Sequence, residues 1–446
     1  MLSKHSFVQF VPSALFILSI SYLSIFIERS QSTLLVSTYC VAFLAYIFIP
    51  KSEGSFNLLV GVGLLARLML LFSLPSLSDD LYRFIWDGTL LKNGIHPFEH
   101  LPGYYLDKGV EGINQKLFDR LNSADYFTIY PPLNQFIFWL SAMIGGSNWL
   151  IGATVIRLFL FVGDLGAFFF LQKLLRHYEK DSRLAFWYFL NPLVILEFTG
   201  NLHFEGVVVC FLLMGVYFYE RAKKWSSALF LGLAIGTKLL PLIYLPYFFI
   251  HGLRKKTWAV AIAAGIIALV TLLPLLNEHF INGMQSSLDL YFRRFEFNAS
   301  MYYLAREVGY LVYGYNNIAV IGPFLSVVSF ISILLISVLG VYKKWRIPQT
   351  LLLILTCYLL FTTTVHPWYT LPLVALGLLC GGWYPVAWSF FIFITYVGYT
   401  KVGFHLPLYA VVLEYLMLFL FMLMERNSHV RHRVSDLRMA YSNYRE

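Results

Sequence analysis

The sequence predicts an all-α fold, a polytopic transmembrane helical bundle of about 12–13 spans with a long outer loop that carries an amphipathic helix. Three observations carry this prediction. Hydrophobic residues make up 59% of the 446 and charged residues 13%, where soluble domains hold roughly 45–50% and about 25%. Lipid is the solvent that tolerates such a surface. Apolar runs of about 20 residues, the length that crosses a hydrocarbon core, recur along the chain. The basic residues behind the net charge of +9 sit in short clusters between those runs. That is the pattern of loops facing anionic headgroups, so membrane lipids are expected as partners and nucleic acid is not.

In chain order the candidate spans are 8–27, 33–50, 57–75, 149–172, 184–199, 204–219, 226–250, 257–276, 316–341, 348–364, 367–381, 383–399 and 404–424, with shorter segments at 131–145 and 301–313. The first run follows Lys4 and His5 without a small-residue cleavage pattern and reads as a retained span. Cys40, Cys210, Cys357 and Cys380 lie inside apolar runs with no metal or redox spacing, and read as small buried hydrophobes.

Lys/Arg bias sets the orientation. The clusters Lys173 to Arg183, Arg221 to Lys224, Arg254 to Lys256, Lys343 to Arg346, and the tail with Arg426, Arg431, Arg433 and Arg438 are placed in the cytoplasm, with both termini. Residues 76–130 carry eight acidic against five basic side chains and form the first long extracytoplasmic loop. A single transmembrane domain over 1–424 with a basic cytoplasmic tail over 425–446 results. Two segments break alternation. Segment 131–145, opened by Pro131-Pro132, is expected to dip into the outer leaflet without crossing, and 226–250, with Gly236, Pro241 and Pro246, to form a broken hairpin or a kinked span.

Four polar features then share the outer face: Ser78-Asp79-Asp80, the stretch 200–205, the loop 277–300, and His366 to Tyr369. From residue 79 a helix aligns Asp80, Arg83 and Asp87 on one face, with Tyr82 and Trp86 as a second stripe suited to the headgroup zone. Asp79 and Asp80 fit either helix capping or catalysis; the paired acid, where one residue would cap, favours catalysis. Arg83 with Asp87 reads first as an internal ion pair, and both are also candidate donor- or substrate-binding residues. His203 and Glu205, at the end of a span that follows Glu197, are ionisable groups at membrane depth, read as a site or as capping groups. A divalent cation on Asp80, His203 and Glu205 stays open, although the spacing is not diagnostic. Lys238 requires an anion, for which a phosphate serves, or a snorkelling path. Arg157 and Asp164 read as an intramembrane pair, and Arg293 and Arg294 as loop charges or phosphate contacts. His366, Trp368 and Tyr369 are candidate substrate-binding residues: aromatics at this level usually form a belt, His366 is the member suited to a polar substrate, and Trp368 to stacking on a sugar ring.

The ordered series Asp-Asp-Leu-Tyr-Arg-Phe-Ile-Trp-Asp-Gly at 79–88, Gly-Ile-His-Pro-Phe at 94–98, Ile-Tyr-Pro-Pro-Leu at 129–133, Asn-Pro-Leu-Val-Ile at 191–195, Gly-Asn-Leu-His-Phe-Glu at 200–205, Thr-Lys-Leu-Leu-Pro-Leu at 237–242 and His-Pro-Trp-Tyr at 366–369 resembles bacterial membrane mannosyltransferases of the GT-C superfamily, of the family 87 type. The resemblance covers roughly 57–385. It implies a GT-C-like bundle in a bacterial inner membrane, a polyprenyl-phosphate sugar donor (usually mannose), and a lipid or glycan acceptor on the extracytoplasmic face. It also implies Asp79 or Asp80 as the catalytic carboxylate, His203 and Glu205 near the donor head, and Lys238 near its phosphate. Relatives often read Gly-His-x-Asp where this chain has His203-Phe204-Glu205, a carboxylate one methylene longer. A phosphate leaving group is already anionic, so one carboxylate base suffices for an inverting displacement, whereas a glycosidase needs two. The competing reading is a secondary transporter or flippase for lipid-linked sugars. Such proteins place ionisable residues near the midplane and carry paired repeats. Here Lys238 alone suits the midplane, and no repeat is visible.

Overall fold

The computed structural model describes residues 4–51 and 53–442, with side chains over 10–51, 54–291 and 293–427. The side chains of Lys4, His5, Arg431, Arg433 and Arg438 lie outside that description. The architecture is all-α; the strands among the described residues are the two-residue pair Tyr399–Thr400 and Gly403–Phe404. In order, the principal helices are α1 (Lys4–Ile25), α2 (Ser32–Phe48), α3 (Phe56–Leu68), α4 (Asp80–Lys92), α5 (Pro132–Gly145), α6 (Trp149–His177), α7 (Glu205–Glu220), α8 (Lys224–Thr237) and α9 (Leu245–Lys255). They continue with α10 (Ala259–Leu272), α11 (Glu278–Arg293), α12 (Met301–Tyr313), α13 (Ile318–Tyr342), α14 (Ile347–Phe361), α15 (Leu371–Cys380), α16 (Tyr384–Phe391) and α17 (Leu408–Ser442).

By length and composition α6, α13 and residues Leu408–Asn427 each suffice to cross a membrane. The number rises to five if two bent pairs each count once: Pro192–Gly200 with α7, at 113°, and Ala259–Leu275 with Glu278–Tyr291, at 115°. Most other apolar runs become helices of 10–17 residues, so the spans are more broken than run length suggests. Val162, Leu269, Phe324 and Phe419 are 59–69% exposed on the flanks, an apolar surface that lipid accounts for. This is a multi-pass membrane protein.

The basic turns gather at one end of the bundle. Arg254 donates to the Val341 carbonyl at 2.9 Å, Lys224 to the Lys256 carbonyl at 3.3 Å, and Arg346 lies over the Tyr178 ring. The Lys224–Lys256 contact closes a hairpin: α8 runs to the far end, stops where Lys238 adopts an extended conformation (φ −154°, ψ 134°), and α9 returns. Pro241 and Pro246 open the helical turns that follow the break, where a missing N–H costs nothing. α5, at 14 residues, spans about 21 Å, short of the roughly 30 Å core. It begins beside Tyr130 and ends with Gly145 against Gly152 of the first turn of α6, so it stays at the end opposite the basic turns.

Three expectations change. α4 is not a surface helix: Leu81 through Leu90 are all buried, Trp86 completely, so Tyr82 and Trp86 are core residues rather than belt residues. The loop after α4 folds back over it, with Tyr105, Leu117 and Phe118 in the same cluster. α5 closes the other side, so near that a Cβ on Gly88 would lie 2.1 Å from the Phe138 carbonyl oxygen. Second, run 184–199 is not one span but four short pieces from Ser182 to Gly200, ending in a π-helical turn. Pro192 breaks the ladder, and Asn191 caps Leu193 and Val194. Third, Asp164 pairs not with Arg157 but with Arg67 of α3, at 2.6 Å. Arg157 donates instead to the carbonyls of Leu71, Thr199 and Gly200.

Candidate functional site

At the end opposite the basic turns two cavities meet. The smaller, about 300 Å³, is polar and lined by Arg29, Ser78, Asp79, Asp80 and Asn122 together with Phe295, His366, Trp368 and Tyr399. The larger, about 730 Å³, is mostly apolar and runs between α9, α10, α11 and α13. Its lining residues Leu242, Phe249 and Ile262 are exposed, so it opens on the lipid-facing flank. Ile129, Tyr130, Lys238, Tyr291 and Tyr369 line both cavities.

Asp80 opens α4 and points into the polar cavity, one-fifth exposed. Its Oδ1 accepts from Asn122 at 2.8 Å and its Oδ2 from the Tyr130 hydroxyl at 2.9 Å. Burial, with Asp80 and Glu205 adding, pushes the Tyr130 hydroxyl well above its ordinary value, so it stays a donor. His203 Nε2 stands 3.7 Å from Asp80 Oδ2 and 3.5 Å from Ser78 Oγ. Asp79 holds the N-cap position without a side-chain cap bond, and pairs with Arg29 instead. Neither acid therefore caps through its side chain, and the two differ: Asp79 pairs with a guanidinium, and Asp80 meets, among the described residues, an amide, a phenol hydroxyl and an imidazole. A hydroxyl in the cavity has in Asp80 a carboxylate placed to take its proton.

Arg83 and Asp87 do form an internal pair, 2.8 Å apart and buried. Arg83 also donates to the carbonyls of Ser123 and Tyr126, and Asp87 accepts from Gln135 at 3.0 Å, so the pair ties the loop and α5 to α4. Lys238 reaches the junction of the cavities, paired with Glu205 and lying 4.6 Å over the Tyr369 ring. An ammonium has three donors, so one bond to Glu205 leaves capacity for a second anion. His366, Trp368 and His203 form a stack, with centroids 4.4 Å and 3.6 Å apart. Burial, reinforced by Lys238 and His203, holds the His366 imidazole well below its ordinary value, and its Nδ1 has no hydrogen-bond partner among the described residues. Arg293 pairs with Asp289, and neither it nor Arg294 lines either of these two cavities. Among the described residues no group of three or more His, Cys, Asp and Glu is placed to hold a metal ion. Glu205 is drawn to Lys238 rather than toward Asp80 and His203.

Three participants escape the sequence. Arg29 carries no motif, though a charge just after an apolar run is a signal of sorts. Tyr130 sits inside Ile-Tyr-Pro-Pro, where the prolines draw attention. Glu197 is placed behind His203 by the π-turn, at 2.8 Å.

The profile described as alpha-(1->6)-mannopyranosyltransferase, N-terminal domain, matches residues 29–254. That stretch includes Arg29, Asp79, Asp80, Glu197, His203, Glu205 and Lys238. Two curated proteins named alpha-(1->6)-mannopyranosyltransferase A are similar. The one from Corynebacterium glutamicum is 22% identical over 179 residues, 40% of this chain and 35% of that protein. The one from Mycobacterium tuberculosis is 26% identical over 181 residues, 40% of this chain and 34% of that protein. The match thus spans about a third of the length of either relative. With more than half of its residues inside the matched profile, the chain belongs to the alpha-(1->6)-mannopyranosyltransferase family.

Proposed function

We propose that the protein is a membrane glycosyltransferase that moves mannose from a polyprenyl-phosphate donor to a lipid or glycan acceptor, on the extracytoplasmic face of a bacterial inner membrane, by inversion. The observation that carries this reading is the meeting of the two cavities at Lys238. An isoprenoid chain suits the apolar cavity open to lipid, its phosphate suits the ammonium, and the sugar then falls in the polar cavity beside Asp80. Asp80, at Oδ1 or Oδ2, takes the proton of the acceptor hydroxyl as that oxygen bonds to the anomeric carbon. The bond from that carbon to the phosphate oxygen breaks, and the lipid phosphate leaves with its added charge held by Lys238. Trp368, stacked between His203 and His366, holds both imidazoles at the wall of the polar cavity. Asp79 holds Arg29 at the cavity wall. The basic turns at the other end favour a cytoplasmic placement of that end, and so an outward site.

The test uses purified protein in detergent, labelled polyprenyl-phosphate mannose and a lipid extract as acceptor. Transfer to a lipid or glycan product supports the reading. Binding of the donor without transfer, from mannose or any other polyprenyl-phosphate sugar, would instead fit a transporter of lipid-linked sugars.

A further inference from the structure

Behind His203 lies a carboxylate with no exposed atoms and three donors. Glu197 sits in the π-helical turn Ile195–Gly200, all of whose residues are buried. Such turns, inserted where a helix is interrupted, are frequent at functional sites. Its Oε1 accepts from the Tyr396 hydroxyl at 2.7 Å, its Oε2 from Asn201 Nδ2 at 3.0 Å, and Oε2 also meets His203 Nδ1 at 2.8 Å. A carboxylate offers the ring only a lone pair, so Nδ1 carries the proton and Nε2 is the atom turned toward Asp80 and Ser78. The backbone serves the same end. The His203 amide donates to the Glu197 carbonyl at 2.9 Å, and Leu202 is held at φ 66°, a conformation side-chain-bearing residues rarely adopt. Trp368 closes one face of the ring. Burying a carboxylate this completely carries a desolvation cost that a merely structural turn does not require.

We propose that Glu197 is a positioning residue: it fixes the tautomer and the orientation of His203, so that Nε2 stands against Asp80 where the acceptor proton arrives. The inference rests on the transfer reaction proposed above, with Asp80 as base. Tyr396 and Asn201 hold Glu197 in turn.

The test is a set of double-mutant cycles in the purified full chain. Glu197→Ala, Glu197→Gln and Tyr396→Phe are each made alone and with His203→Gln. Initial transfer rates are measured across concentrations of polyprenyl-phosphate mannose, and binding of polyprenyl phosphate is measured separately. Glu197→Ala is expected to lower kcat by roughly 10–100-fold, the scale on which removing the partner behind a functional imidazole acts, with donor KM and lipid binding unchanged. Glu197→Gln, which keeps an acceptor oxygen, retains more activity. In the His203→Gln background each substitution costs nothing further, because Glu197 acts through that ring. Tyr396→Phe deletes a single oxygen and carries the test if Glu197→Ala does not fold: a smaller kcat loss is expected, again absent beside His203→Gln. Additive losses, losses confined to KM and lipid binding, or wild-type kcat in both Glu197→Gln and Tyr396→Phe overturn the proposal and leave the transfer reaction standing. A wild-type protein that binds donor and transfers nothing overturns both.

Discussion

Asp164→Leu leaves the Arg67 guanidinium in the middle of the bundle without its carboxylate. Both side chains are 0% exposed, and Nε lies 2.6 Å from Oδ2. Removing one partner of a buried pair costs about 3–5 kcal/mol, because the other charge stays buried, while replacing both by apolar residues is often neutral. Arg67 keeps the Gly63 carbonyl at 3.0 Å and the Phe189 ring at 4.1 Å, which sets the expected loss near the lower limit, about 3 kcal/mol. At about 2 °C per kcal/mol for a large chain, the thermal midpoint should fall by roughly 6 °C. Arg67→Met with Asp164→Leu should recover most of that fall. Arg157 is the control, since helical spacing alone offers it as the partner of Asp164. Its bonds go to the Thr199 and Leu71 carbonyls, so Arg157→Met and Asp164→Leu should add independently. The assay is thermal unfolding in detergent for the two four-protein cycles. Coupling of more than about 1 kcal/mol in the Arg157 cycle, with none in the Arg67 cycle, would refute this account of the charge network.

Gly88→Ala places a Cβ 2.1 Å from the Phe138 carbonyl oxygen, so α4 and α5 must part. A loss of about 1–3 kcal/mol is expected in the same unfolding assay, and a wild-type midpoint would count against that contact. Lys238→Met strands the buried Glu205, lowering stability and weakening binding of polyprenyl phosphate. Adding Glu205→Leu should restore the midpoint but not the binding, and recovery of both would remove Lys238 from the phosphate. His366 has its folded value held below the ordinary imidazole value of about 6.5, by burial first. The unfolded chain then binds a proton that the native state refuses as pH falls through that value, so stability present above it is lost on the acid side. The wild-type midpoint should drop from pH 7.5 to pH 5 by more than that of His366→Phe; equal drops would contradict a buried neutral imidazole.

The architecture is legible in the sequence because lipid exposure leaves a compositional mark that no water-soluble chain shares. The end of the bundle that holds the candidate site is legible for a related reason: ionisable side chains among apolar runs are costly, so Asp80, His203 and Lys238 stand out. What spacing cannot supply is a partner from another element. Arg83 with Asp87 is four residues apart on one helix and is read correctly. Arg157 with Asp164 is read by the same logic and fails, because Arg67 arrives from α3. Glu205 has nothing in its own turn to reveal that Lys238, 33 residues on, comes back to it at the break in a hairpin. The burial of α4 depends on a loop that folds over it, and no periodicity within 80–92 reports that. Glu197 is hidden in the same way, since a π-turn shifts the facing of a residue that helical spacing would send elsewhere.

The central claim is that Asp80, and not Asp79, takes the acceptor proton. Transfer of labelled mannose from the polyprenyl-phosphate donor, measured for wild type, Asp79→Asn and Asp80→Asn with folding checked by thermal midpoint, tests it most directly. Asp80→Asn should abolish turnover with donor binding intact, and Asp79→Asn, which loses only the pair with Arg29, should keep most of it. Equal mild losses in both, or loss in Asp79→Asn alone, would contradict the assignment.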